Sequence, residues 1–222
     1  MSGRDAPAKK SGLATLAVVG VLAVGLAWKL SAGAPPIMSA ASAASIPDAI
    51  ATSMASDPAA PVVGNPLGSV SVSEYFDYRC PYCRTMQPTL GALLAKDHRV
   101  RLVAKEWPIF GGASVIAARV ALASQWQGKY AVVHQALFEL PRGMDEAAIR
   151  SAAAAAGVDM ARLDHDLATR GTEIDAELST VDHEARALGF QGTPGFVVGT
   201  FVAPGAIPAS SLDELVTRAA AR

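Results

Sequence analysis

The chain has 222 residues, a formal net charge of -1 and a pI of about 6.4. This length suits one well-packed domain with appendages. The charge balance offers no basic surface for phosphates, which argues against a nucleic-acid partner. The two cysteines, Cys80 and Cys83, are spaced as Cys-x-x-Cys, which excludes a multi-bridge disulfide scaffold and a four-cysteine zinc site.

The N-terminal region predicts export. Residues 1–10 carry basic side chains and are predicted to stay in the cytoplasm, and residues 11–30 are predicted to form a membrane anchor or signal segment. The uncharged stretch 11–28 would reach roughly 27 Å as a helix and exceeds a usual signal core, which favours an uncleaved anchor. An Ala-x-Ala triplet at 32–34 keeps a cleaved signal open. Either reading places the remainder in an oxidising, extracytoplasmic space.

Residues 31–57 are rich in Ala, Ser and Pro and are predicted to form a linker, because few large apolar side chains are available for packing. Within it, Ile46, Ile50 and Met54 fall on one face of a possible short helix. That face predicts either docking on the domain or another subunit, or a transient helix in the linker.

Residues 58–222 are predicted to form the catalytic domain. A strand at 69–77 leads into a helix that begins at the cysteine motif, and a second strand follows at 100–107, as in a βαβ unit. A helical insert is predicted at about 113–189. A β-hairpin at 195–202 and a terminal helix at 211–221 complete the order βαβ, helical insert, ββα.

The segments FDYRCPYC and GTPGF, separated by the helical insert, resemble the DsbA-like branch of the thioredoxin superfamily, the exported thiol–disulfide oxidoreductases. The resemblance covers about 58–222. It implies an α/β thioredoxin fold with an inserted helical subdomain and no cofactor beyond the redox-active disulfide. It also implies unfolded or cysteine-containing exported proteins as substrates and a membrane redox partner that reoxidises or reduces the enzyme.

The placement of the two cysteines fits that chemistry. Cys80 precedes a predicted helix, whose first N–H groups and dipole stabilise a thiolate. Cys83 lies three positions on, beneath Cys80 and less exposed, so it is the predicted resolving cysteine. A static disulfide and half of a shared metal site are the alternatives, and the position at a helix start argues against both.

Further site residues are predicted around this pair. Glu74 lies in an apolar strand, six positions before Cys80, and the resemblance implies that it relays protons to the buried cysteine; the alternative is a solvated strand face. The resemblance also implies a cis peptide bond before Pro194, in a loop that binds substrate together with Thr193. Pro81 and Tyr82, between the cysteines, are predicted to contact substrate as well.

We predict that the enzyme forms disulfides, so that electrons flow from substrate thiols to the cysteine pair. Pro81 and Tyr82 carry no charge to stabilise the Cys80 thiolate, so we expect an oxidant weaker than the strongest members of the family. Arg79 and Arg84 are candidates to compensate. Because Thr193 and the Pro-Tyr dipeptide also resemble isomerases and reductases, that direction stays open, as does the oligomeric state.

Two further classes are weaker alternatives. Cys-Pro-Tyr-Cys also occurs in glutaredoxins, but those are short and mostly cytosolic. A non-catalytic peptide chaperone or copper-binding module would use the same groove or thiols for capture. The four histidines (His98, His134, His165 and His183) show no metal-ligand spacing, so we predict surface positions for them and no metal site.

Overall fold

The computed structural model describes residues 43–222. The predicted segments 1–10 and 11–30 therefore lie outside the described residues. Within the described part, no helix is both long and apolar enough to cross a membrane.

The fold is a six-stranded mixed sheet with helices on both faces. Parallel strands β3 (Val70–Phe76) and β4 (Val100–Glu106) are joined by helix α2 (Pro81–Lys96), which confirms the predicted βαβ unit. The later hairpin consists of β5 (Gly195–Val198) and β6 (Phe201–Pro204), and β5 pairs antiparallel with β3. The helix predicted at the C-terminus is α8, Ala209–Ala220.

The predicted insert consists of helices joined by short loops, and a single turn of 3-10 helix (Gln125–Gln127) follows its first helix. Its helices are α3 (Ala113–Ser124), α4 (Tyr130–Glu139), α5 (Glu146–Ala155), α6 (Met160–Thr169) and α7 (Gly171–Ala187). Their alanines allow close helix packing, because a small side chain lets neighbouring backbones approach. The insert shares one core cluster with the two cysteines and Phe76, so it packs directly behind the cysteine motif.

The prediction of a linker at 31–57 is wrong for residues 43–57, the part that the structure describes. Strand β1 (Ala44–Ser45) pairs with β6 at one sheet edge, and helix α1 (Asp48–Ala55) buries Ala51, Met54 and Ala55. Small apolar side chains cannot build a core of their own, but they can dock on one that already exists. Of the face predicted to dock, Met54 is buried on the domain, whereas Ile50 is exposed. The domain therefore begins before residue 58.

The opposite edge of the sheet carries another strand that the sequence did not indicate. Strand β2 (Val62–Gly64) pairs antiparallel with β4, so the strand order is β1-β6-β5-β3-β4-β2. Short edge strands of this kind leave few unpaired backbone groups for another chain to join.

The pleat sorts the side chains of β3 and β4 onto two faces. Val72 and Phe76 face α2 and the insert, whereas Tyr75 faces α7 together with Trp107 and Phe190. Alternation consequently places Glu74 on the face of the cysteine helix.

Lys105 is the charged group that links β4 to two other parts of the fold. Its side chain is 0% exposed, and its Nζ lies 2.9 Å from an Asp57 oxygen and 3.1 Å from a Glu184 oxygen. Asp57 follows α1, and Glu184 lies on α7. The ammonium group therefore joins the N-terminal segment and the last insert helix to the sheet.

We predict that Lys105→Ala lowers the free energy of unfolding by about 3–5 kcal/mol, because it leaves two partly buried carboxylates without their cation. The matched control is Lys96→Ala, which removes an exposed ion pair with Asp213 and should cost at most about 1 kcal/mol. Denaturant unfolding of both variants measures the difference. Equal losses in the two variants would contradict this role for Lys105.

Candidate active site

The cysteine motif lies where β3 ends and α2 begins. Cys80 is the N-cap residue of α2, in an extended backbone conformation, and Pro81 begins the helix as predicted. Proline suits this position because its missing N–H would have had no helical partner. The Cys83 N–H points at the Cys80 Sγ, at a distance of 3.4 Å between N and S. The helix start thus presents its free donors to the sulfur of Cys80.

Both cysteines are free thiols and both are buried, with residue exposures of 2% for Cys80 and 0% for Cys83. Tyr82 is 47% exposed and Pro81 is half-buried, so the dipeptide between the cysteines forms the outer surface of the motif. This dipeptide is therefore the part of the motif that meets solvent most directly.

The two thiols differ strongly in acidity. The hydrogen bond from the Cys83 thiol, supported by the backbone N–H groups of Cys83 and Tyr82, lowers the pKa of Cys80 to about 6 against the opposing effect of burial. Burial raises the pKa of Cys83 well above that of an ordinary thiol, and the Cys80 and Glu74 charges add to the rise. The arrangement gives one sulfur that is a thiolate at neutral pH and one that holds its proton.

The loop before β5 forms the other wall of the site. The Thr193-Pro194 peptide bond is cis, and the Cys80 sulfur lies 3.2 Å from the Thr193 carbonyl oxygen, to which Cys80 donates when it is protonated. Pro194 is buried, and its own carbonyl accepts from the N–H of Gly205. A Cβ at Gly195 would lie 2.7 Å from the Phe190 ring, so only glycine fits there. The structure therefore brings the predicted residues Thr193 and Pro194 to Cys80.

Glu74 on β3 is 1% exposed and lies on the face of the sheet that α2 covers. Its neighbours on the adjacent strands are Ala104 on β4 and Phe196 on β5. Its Oε1 has no hydrogen-bond partner. Burial raises its pKa to about 8, with a smaller rise from the Cys80 thiolate, against a lowering by a hydrogen bond to Gln87. A carboxyl group of this kind is protonated at neutral pH and can release its proton just above it.

Asp77 organises the loop between β3 and the cysteines. Its buried carboxylate accepts from the Arg79 N–H at 2.7 Å, from the Phe110 N–H at 3.0 Å and from the Ser114 hydroxyl at 2.7 Å. Its backbone carbonyl accepts from the Cys80 N–H. Asp77 therefore ties the cysteine loop to the start of the insert, a role that its sequence position did not reveal.

The two arginines predicted to support the thiolate are engaged elsewhere. Arg84 donates to the carbonyls of Phe138 and Leu140 at the end of α4, and burial lowers its pKa. Arg79 and Arg142 donate to each other's backbone carbonyls. Their principal contacts fasten the motif to the insert, and the Cys80 thiolate is stabilised mainly by the Cys83 thiol and the first N–H groups of α2.

A second buried polar cluster lies behind the cysteines and was missed in the sequence. It consists of Glu106 at the end of β4, Tyr78 in the cysteine loop, and Tyr130 and His134 on α4. The surface position predicted for His134 is wrong, because the helix turns this side chain onto Glu106 and the tyrosines; His98, His165 and His183 are exposed as predicted. Among the described residues, no group of three or more His, Cys, Asp or Glu side chains is placed to hold a metal ion.

Comparison with known proteins relates the whole domain to characterised chains. The model of the DSBA-like thioredoxin domain matches residues 71–217. A thioredoxin-like oxidoreductase from Silicibacter pomeroyi is 42% identical, with a TM-score of 0.73 over 77% of this chain and 98% of that chain. A periplasmic thioredoxin-like protein from Salmonella enterica serovar Typhimurium is 27% identical, with a TM-score of 0.66 over 81% and 100% of the two chains.

A curated relative is longer than this chain. The Na(+)/H(+) antiporter NhaA 1 of Salinispora arenicola is 28% identical over 221 residues, which is 95% of this chain and 32% of that protein. The chain thus spans about a third of the length of this relative. The family model, by contrast, contains the cysteine pair, Glu74, the insert and the cis-proline loop. On this evidence the chain belongs to the DsbA-like thioredoxin-domain family of thiol–disulfide oxidoreductases.

Proposed function

We propose that this oxidoreductase forms disulfide bonds in exported proteins, through reversible oxidation of Cys80 and Cys83. The observation that carries the proposal is the position of the Cys80 sulfur at the first turn of α2, where its pKa is lowered to about 6. Stabilising the thiolate stabilises the reduced enzyme. Electrons are therefore favoured to move from substrate thiols to the enzyme.

The reaction begins with the disulfide between Cys80 and Cys83. A substrate thiolate attacks the Cys80 sulfur; the bond between the two cysteines breaks, and Cys83 leaves with the electron pair. Because burial holds the pKa of Cys83 high, this sulfur must take up a proton as it leaves. A second substrate thiolate then attacks the substrate sulfur of the mixed disulfide and releases Cys80 as a thiolate.

Glu74 is the proposed proton donor and acceptor for Cys83. Its charge acts on Cys83, and its own pKa of about 8 lets it exchange a proton near neutral pH. In the forward direction protonated Glu74 gives its proton to the departing sulfur. In the reverse direction the carboxylate removes the proton of Cys83 before this sulfur attacks a mixed disulfide.

The proposed substrate surface consists of Pro81, Tyr82, Thr193 and Pro194. Pro81 and Tyr82 directly follow Cys80, and the Tyr82 ring is exposed. Thr193 is half-buried and contributes its carbonyl oxygen beside the Cys80 sulfur. An extended substrate segment beside this loop would pair backbone to backbone. Such pairing accepts many sequences around a cysteine, which suits an enzyme acting on unfolded proteins.

We further propose that the enzyme works on the periplasmic side of the inner membrane, with residues 11–30 as its anchor or signal and a membrane oxidase as its redox partner. The related Salmonella protein is described as periplasmic, and the exported location supplies substrates with free thiols. Cysteines kept mostly reduced in the living cell, as shown by thiol trapping, would instead indicate an isomerase or reductase with a membrane reductant.

We predict that Cys80 alkylates with half-maximal rate near pH 6, while Cys83 stays unreactive at neutral pH. Cys83→Ala should raise the pKa of Cys80 by about one unit or more, because the thiol that donates to Cys80 is lost, whereas Cys83→Ser keeps a donor and a lower pKa. Thiolate absorbance and iodoacetamide rates measure both. A Cys80 with the pKa of a free thiol in the unaltered protein would refute the activated nucleophile.

We predict that Glu74→Gln slows oxidation of a dithiol peptide by about tenfold to a hundredfold and removes the pH dependence near pH 8. Stopped-flow kinetics measure the rate, with exposed Glu214→Gln as the control. Unchanged rates from pH 6 to about 9 would exclude the relay.

We also expect Glu74→Gln to stabilise the protein at alkaline pH. The folded pKa of Glu74 lies above its ordinary value of 4.5, so the carboxyl group costs stability increasingly as the pH rises from about 4.5 to about 8. The variant should therefore gain most over the unaltered protein at pH 8 and above, in denaturant unfolding. A gain that does not grow with pH would contradict a raised pKa for Glu74.

A further inference from the structure

Glu106 lies at the centre of the buried polar cluster on α4 and the cysteine loop, and the mechanism above does not use it. Its Oε1 is 2.7 Å from the Tyr78 hydroxyl and 2.8 Å from the Tyr130 hydroxyl. The Tyr78 oxygen is also 3.0 Å from Nδ1 of His134, whereas the Tyr130 oxygen is 3.5 Å from it. Glu106, Tyr78 and His134 thus form a continuous chain of two short contacts.

The hydrogen atoms in this chain can be counted. An ionised Glu106 accepts from both tyrosines, so the single hydrogen of Tyr78 is directed at Glu106. The Tyr78 oxygen then has only lone pairs to offer His134, and Nδ1 must carry a hydrogen and donate it. An ionised Glu106 therefore requires the neutral Nδ1–H tautomer of His134.

A protonated Glu106 reverses the chain. Its hydroxyl donates to Tyr78, the Tyr78 hydroxyl donates to Nδ1 of His134, and the ring hydrogen moves to Nε2. The two states differ by one proton, which enters at Nε2 and appears on Glu106 without any group becoming a cation. Burial keeps the ring neutral throughout, because it lowers the pKa of His134 to about 3.

The outer end of this chain reaches a groove. His134 lines a cavity of about 560 Å³ between α2 and α4, whose other walls include Gln87, Leu102 and Phe138. Within residues 43–222 the Nε2 atom of His134 makes no hydrogen bond. The His134 ring thus borders a groove that solvent can enter.

The inner end of the chain is coupled to the redox site. The charges of Asp77 and Glu74 both act on Glu106, and burial together with these charges raises the pKa of Glu106 to about 8. Glu74 in turn senses the Cys80 thiolate. The charged or titratable groups packed around the cluster come from β3, its following loop, α2 and α4: Glu74, Asp77, Tyr78, Cys80, Cys83, Arg84, Tyr130 and His134.

We propose that Glu106 is a second buried acid of the redox site, a positioning residue that exchanges its proton with the groove through Tyr78 and His134. This role rests on the proposed function: by taking up a proton, Glu106 offsets the negative charge that forms at Cys80. Oxidation of two substrate thiols by the enzyme disulfide yields the substrate disulfide, the Cys83 thiol, the Cys80 thiolate and one proton. The new negative charge at Cys80 favours the protonated form of the nearby acids. The protonated fraction of Glu106 therefore rises, and its proton enters from the groove.

The test is the tautomer of His134, read from the nitrogen chemical shifts of its ring in the full chain. We expect a change from the Nε2–H to the Nδ1–H form with a midpoint near pH 8, without formation of imidazolium. Reduction of the cysteines should move this midpoint upward by roughly half a unit to one unit. Histidines exposed to solvent provide reference signals, and His134→Asn assigns the resonance.

Matched variants separate the relay from simple packing. Tyr78→Phe removes the hydroxyl that bridges Glu106 and His134, and it should abolish the tautomer change. Tyr130→Phe should retain the change, because the Tyr130 hydroxyl is farther from Nδ1. Glu106→Gln should fix one tautomer and move the midpoint of the step governed by Glu74 to lower pH by about one unit. Near-ultraviolet circular dichroism shows whether each variant is folded.

The outcomes separate this inference from the proposed function. A His134 tautomer that stays fixed from pH 5 to about 10, or that is unaffected by the redox state, overturns the role of Glu106 even if the enzyme exchanges disulfides at full rate. Conversely, a tautomer change in a chain that exchanges no disulfides would refute the proposed function.

Discussion

The contact between the Cys80 sulfur and the first turn of α2 is the constraint on which the rest of the site depends. It makes one thiol acidic, and it does so because Cys80 caps the helix while Pro81 begins it. The same geometry buries Cys83 beneath the first turn and leaves it with a high proton affinity. An acidic sulfur beside a proton-holding one is the asymmetry that directs attack to Cys80.

The Cys80 thiolate places a negative charge inside the domain, close to buried carboxyl groups. The side chains of the sheet that carry charge point to opposite faces. On β4, Lys105 points to α7 and joins Asp57 and Glu184, whereas its neighbour Glu106 points to α4 and two tyrosines. Glu74 on β3 faces an alanine instead of a cation. The carboxyl groups behind the cysteines are thus kept protonated near neutral pH by burial, while the buried lysine serves the stability of the other face.

The insert contributes to the site by holding its loop. Asp77 fixes the turn between β3 and Cys80 against Ser114, and Arg84 fastens α2 to the end of α4. These contacts are among buried or half-buried groups, where hydrogen bonds to charged side chains are stronger than at the surface. The helices added to the thioredoxin fold therefore hold the cysteine motif in place from behind, and α4 brings His134 and Tyr130 to Glu106.

The main elements of the fold followed from local patterns in the sequence. The strand before Cys80, proline at the helix start, the helical insert and the later hairpin all depend on neighbouring residues, and the structure confirms them. By contrast, β1 and β2 form only because sheet edges made elsewhere accept them. The burial of His134 was equally beyond local reasoning, because it follows from the approach of α4 to a carboxyl group 28 residues earlier in the chain.

The reduction potential of the Cys80–Cys83 pair, measured by equilibration with glutathione, shows whether the reduced enzyme is the favoured state. If the Cys80 thiolate is stabilised as described, the potential lies between about -270 mV, typical of thioredoxin, and about -120 mV, typical of the most oxidising member of the family. A potential at or below that of thioredoxin would show that the reduced state is not favoured and would contradict the proposed direction of disulfide formation.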